Sequence, residues 1–193
     1  LLLLLLLPPT TSIKPTHHLP RSIREHLNFA QSIPLHNDDP DLLKKLLKRK
    51  HHIFQAYKGL ELQRLPHGGT QSDDAEELTV EEEASSSISL LHVSLSQQLV
   101  ELDASITKAR IRRSEILLGR AELRMESLPN QRQYDFVASN LLIEALSVAA
   151  TTDNNNLTTQ VYVNNISSRA YIHLDTMAKH LKSRIEHEVR ASR

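Results

Sequence analysis

Between Ile88 and about Leu128, apolar residues return at alternating steps of three and four, and no other feature of this 193-residue sequence limits its fold so tightly. The positions are Ile88, Leu91, Leu95, Leu99, Leu102, Ile106, Ala109, Arg113, Ile116, Arg120 and Leu123. Nine of these eleven are apolar. One extra step of four, from Leu95 to Leu99, is a stutter of the kind coiled coils tolerate. The spacing predicts a helix ~60 Å long at ~1.5 Å per residue. A lone helix of that length cannot bury its own stripe, so the pattern calls for a partner helix.

The rest of the composition agrees with helices. The aromatic residues are Phe29, Phe54, Phe136 and four tyrosines, Trp is absent and Gly occurs four times, which argues against a sheet-rich core with tight turns. The expected fold class is all-α, with elongated coiled-coil helices, a disordered N-terminus and an acidic linker. Residues 1–20 are rich in Leu, Pro, Thr and Ser without periodicity and are read as disordered low-complexity sequence. The run Leu1 to Leu7 is far below the ~20 apolar residues that cross a bilayer.

Residues 21–65 are expected to hold a short helix and a basic amphipathic one. Ser22 and Glu25 have capping-box spacing for the first, and Asp39-Pro40 opens the second, which should run roughly 25 residues. Residues 66–85 read as an acidic linker, 86–150 as the main coiled coil with an interruption at Pro129, 151–159 as a turn and 160–193 as a last helix. The last helix has its stripe at Ile166, Ala170, Leu174, Met177, Leu181, Ile185 and Val189.

Charge sums to zero but is laid out in blocks. From Pro66 to Thr107 there is no Lys or Arg against nine Asp and Glu, whereas Lys108 to Arg132 holds seven basic and three acidic residues. The run Lys44, Lys45, Lys48, Arg49 and Lys50 suits nuclear import or electrostatic contact with nucleic-acid phosphates. Without interleaved aromatics, any RNA contact would be weak and salt-sensitive.

No cysteine is present, which removes disulfides and thiolate chemistry together. Eleven histidines invite a metal hypothesis. His173, His180 and His187 recur every seven residues, however, and lie ~10 Å apart, too far to share one zinc. His17-His18 and His51-His52 are adjacent pairs that point to different faces of a helix and read as solvated. No nucleophile elbow, phosphate loop or carboxylate pair emerges. The expectation is a chain with no catalytic residues, no cofactor and no metal.

Four segments, taken in order, resemble the THO complex subunit 7 family, a coiled-coil component of the assembly linking transcription to mRNA export. They are Asp41 to Phe54, with its Leu-Lys-Lys pattern; Leu91-His92-Val93-Ser94-Leu95; Asn130-Gln131-Arg132-Gln133-Tyr134-Asp135-Phe136-Val137-Ala138; and the final helix with Tyr171, Leu174, Leu181 and Ile185. The resemblance implies a non-enzymatic scaffold subunit in the nucleus that pairs with the coiled coils of other THO subunits, with no membrane contact. The expected partner-facing residues are Ile88, Leu91, Leu95, Leu99, Leu102, Ile106, Ile116, Leu123, Tyr134, Leu174 and Leu181. Periodicity alone suits a coiled-coil subunit of a kinetochore, tethering or mediator-type assembly equally well. A weak nucleic-acid-binding module built on the basic blocks is the third reading.

Overall fold

A computed structural model describes residues 19–36, 39–64, 78–127, 135–152 and 156–192, with backbone alone for 64 and 78–85. Among these residues the chain is all-α: five helices and no strand. They are α1 (Arg21–Ser32), α2 (Leu42–Arg64), α3 (Leu78–Ser127), α4 (Phe136–Ala150) and α5 (Leu157–Ala191).

Local chemistry explains most of the boundaries. α1 starts behind Pro20 and has no side-chain cap, so Ser22 and Glu25 do not form the expected box; Glu25 instead pairs with Arg21 at 2.7 Å. Asp39 opens α2 by accepting the backbone N–H of Asp41 through its side chain at 2.8 Å and that of Leu42 through its carbonyl at 3.0 Å. α3 begins at Leu78, inside the stretch read as acidic linker. α5 begins at Leu157, with Asn156 accepting the N–H of Thr158 at 2.9 Å, and takes in residues read as turn.

The chain divides into two compact units, one of residues up to His36 with Leu47–Glu101, the other of Asn37–Leu46 with Leu102–Arg193. In the first, α1 buries Ile23, Leu27 and Ala30, and α2 buries Ile53, Ala56 and Leu60. Ile23 lies where a side chain on Gly59 would stand: a Cβ there would be 2.9 Å from Ile23 Cγ1, so the missing side chain lets α1 approach α2. α3 joins through His92, which stacks on Tyr57 at 4.3 Å between ring centroids.

The second unit is a three-helix packing of the C-terminal half of α3 with α4 and α5. Arg124, Arg113 and Arg110 of α3 reach Asp135, Glu144 and the Thr151 carbonyl in that order, so α3 and α4 run antiparallel. The short connection after α4 turns the chain back, and α5 packs against α4. Leu117, Leu118, Ala121, Ala138, Leu142, Ala145, Ala149, Val163, Ile166, Ala170 and Met177 form its core. Five of these are alanines at no more than 1% exposure, so the helices approach closely over small side chains. Beyond Met177 every described residue of α5 is exposed.

The two helical glycines give opposite forecasts. At Gly119 a Cβ would meet nothing within 4 Å, so Gly119→Ala should add the ordinary helix-propensity gain of about 1 kcal/mol and raise the thermal midpoint. Gly59→Ala should lose that gain, because its methyl displaces Ile23. Thermal unfolding of both variants followed by circular dichroism checks the contrast.

Candidate functional site

α3 carries the expected interaction stripe, and the structure divides that stripe in two. Leu91, Leu95, Leu102 and Ile106 are buried within the chain itself, Leu95 to 0% exposure, while Ile88 and Leu99 are half-buried. Past Ile106 the buried face moves to Ser114, Leu117, Leu118 and Ala121. At 3.6 residues per turn this is a rotation of roughly 100° around the helix. The straight continuation of the stripe is therefore left outside: Ile116 is 46% and Leu123 67% exposed, with Arg120 between them and Arg113 before Ile116. Leu174 is half-buried beside the second core, Leu181 is exposed, and Tyr134 lies outside the described residues.

A different apolar row faces solvent. Leu90, Val93 and Val100 are 70%, 64% and 68% exposed. With Gln97 they share one face of α3, opposite the buried Leu91 and Leu95. Two seven-residue steps, Leu90 to Gln97 and Val93 to Val100, give this row coiled-coil spacing. It was hidden in the sequence because its members are interleaved with the longer, more regular stripe.

Much of the positive charge of the basic run is engaged locally. Lys45 pairs with Asp39, Lys48 lies 4.8 Å above the Phe29 ring and Lys50 also makes an interaction, while Lys44 is exposed. Arg49 falls in step with Leu46, Ile53, Ala56 and Leu60 on the inward row, and burial pulls its guanidinium below the ordinary arginine range. In the second basic block Arg110 and Arg113 are turned to α4, and Arg112 has an interaction of its own. These contacts take cationic groups away from a common phosphate-binding surface.

Two other groupings merit a chemical reading. Glu122 receives Arg169 at 2.6 Å and His173 at 3.1 Å, joining α3 to α5. His173 thus ties two helices together. On the first unit His52 meets His26, with 3.1 Å between the two Nδ1 atoms. His52 was read as solvated, but it is half-buried because α1 folds over it, a contact that adjacency in sequence does not reveal. Among the described residues no group of three or more His, Cys, Asp or Glu could hold a metal ion.

Asp135, within the segment Asn130 to Ala138, has a clear local task. Its side chain accepts the N–H groups of Val137 at 2.8 Å and Ala138 at 3.1 Å, capping α4, and meets Arg124 at 2.6 Å. Burial pushes its carboxyl upward, but the two N–H donors and Arg124 outweigh that effect and hold it below the usual carboxylate range.

With this geometry set out, comparison with known proteins adds no family: no family model, no curated protein and no solved structure matches the chain. Among the described residues no helix is long and apolar enough to cross a membrane.

Asp135→Ala should destabilise the second unit by about 1 to 2 kcal/mol through loss of the cap. Asp135→Asn, which keeps an acceptor oxygen but loses the charge opposite Arg124, should fall between the variant and the parent. Because the folded-state carboxyl is held low, the gap between parent and Asp135→Ala is complete above the unfolded carboxylate pKa of about 3.9. It closes as pH falls through the lowered folded value. Urea titrations at a series of acidic pH values read this directly.

Proposed function

We propose that this chain is a non-enzymatic scaffold subunit that holds a partner helix on the outward row of α3, in the manner of a coiled coil. The observation that carries this reading is the exposure of Leu90, Val93 and Val100 on one face with seven-residue repeats. Each is a large apolar side chain standing in water at a spacing that only another helix would fill. The occupant is a helix with an apolar stripe flanked by Lys and Arg. The reason is complementarity, since Glu101 and Asp103 stand next to Val100 and Pro66 to Thr107 contains no basic residue.

The finer reading is that the assembly is the nuclear complex coupling transcription to mRNA processing and export. The resemblance of the four quoted segments to THO complex subunit 7 supports it, and the partner would then be another THO subunit's coiled coil. Nuclear residence follows from the same resemblance and from the basic run at Lys44 to Lys50. Another multiprotein machine would use the same face in the same way.

The mechanism differs from a straight seam through Leu95, Leu99, Leu102 and Ile106. Leu95, Leu102 and Ile106 are buried in the chain, so Leu95→Asp would bury a carboxylate and disrupt the fold before it reported on binding. The informative change is Val93→Asp with Val100→Asp. It should leave the helical circular dichroism signal unchanged and abolish recovery of THO subunits in affinity purification. Full recovery with the double variant would remove the face from the proposal, and absence of THO subunits from the parent's purification would remove the assignment to that complex.

A further inference from the structure

We propose that the α1–α2 pair is a pH-sensitive clasp, closed by the hydrogen bond between the imidazoles of His26 and His52 and opened when acid charges both rings. The two Nδ1 atoms are 3.1 Å apart. One must donate and the other must accept, so the bond exists only while at least one ring is neutral. Two imidazolium rings at that distance present only donors to each other, and the attraction becomes a repulsion.

The surroundings make the second proton costly. Phe29 of α1 packs on the His52 ring at 4.3 Å between centroids, and His51 stands edge-on to it at 5.4 Å. Lys48 of α2 lies 4.8 Å above the Phe29 ring. The charged and titratable groups that these contacts place around His52 are thus His26 from α1 and Lys48 and His51 from α2, each cationic when ionised. On α1, Glu25 is held by Arg21 at 2.7 Å. Burial, then His26, His51 and Lys48, keep the His52 imidazole below the ordinary histidine range.

The sign of the linkage follows. The unfolded chain binds its proton at about 6.5, whereas folded His52 resists it, so the clasp is at full strength above that pH and weakens as pH falls from there toward the lower folded value. α1 is the element that should respond. It has 12 residues, a length that is marginal for an isolated helix, and it buries only Ile23, Leu27 and Ala30.

Hydrogen exchange of the full chain between about pH 7.5 and about pH 5.5, corrected for intrinsic rates, tests the clasp across the histidine range. Protection of the α1 amides should fall with acid, by up to about tenfold per pH unit for one linked proton, while α4 protection stays level. His52→Gln, which keeps a polar side chain that does not titrate, should flatten the response. Equal α1 protection at both pH values, or a fall in His52→Gln as steep as in the parent, would overturn the proposal. If that variant fails to hold α1 at neutral pH, the parent decides by NMR: a His52 titration below the ordinary range supports the clasp, and an ordinary one refutes it.

Discussion

Helix α3 changes the side on which it is buried. A 50-residue helix offers its neighbours every face in turn. Leu91, Leu95, Leu102 and Ile106 commit one face, and Ser114, Leu117, Leu118 and Ala121 commit another. Each commitment exposes what lies opposite. Opposite the first are Leu90, Val93 and Val100, and off the second are Ile116 and Leu123. The apolar residues left in water are thus a geometric remainder of where α3 is packed. A solvent-facing row produced in this way becomes a binding face only where spacing and charge also suit a partner, a condition that Leu90, Val93 and Val100 meet better than Ile116 and Leu123, which are separated by Arg120.

The C-terminal unit uses a different balance of forces. Its core is dominated in number by alanine, which buries little area per residue, so close approach of backbones must substitute for bulky side chains. Polar ties at the rim set the helix register: Arg124 to Asp135 at one end of the α3–α4 pair, Arg113 to Glu144 along it, and Glu122 to Arg169 and His173 across to α5. The Arg113 and Arg124 side chains are more than two-fifths exposed, which limits each pair to a small contribution. Their value lies in orientation. Asp135 does more, since the same carboxylate both caps α4 and receives Arg124.

The all-α class was legible because it follows from Gly, aromatic and apolar spacing, all local properties. Asp39 as the opening of α2, and the apolar stripe of α5 through Ile166, Ala170 and Met177, were legible for the same reason. The solvent-facing row of α3 was not. Heptad counting assumes a fixed axis of burial, and it carried the seam of α3 straight from Ile106 to Ile116 and Leu123, whereas the buried face follows Ser114 and Ala121. Those residues are small and carry no periodic signal of their own. The pairing of His26 with His52 was equally invisible, because residues 26 apart come together only when α1 folds on α2. The helical start at Leu78 was not legible because a run of acidic residues with little to bury reads as a solvated linker.

In the first unit, the two proposed devices occupy separable ground. Tyr57 and Glu61 of α2 face His92 of α3, one residue from Leu91 and on the inward side of that helix. Leu90, Val93 and Val100 point the other way. Opening of α1 by acid removes Ile23 from Gly59 and His26 from His52, both contacts on α2. It does not touch the Tyr57 to His92 stack that seats α3. The outer row and the clasp therefore use different residues of the unit, the row on α3 and the clasp on α1 and α2.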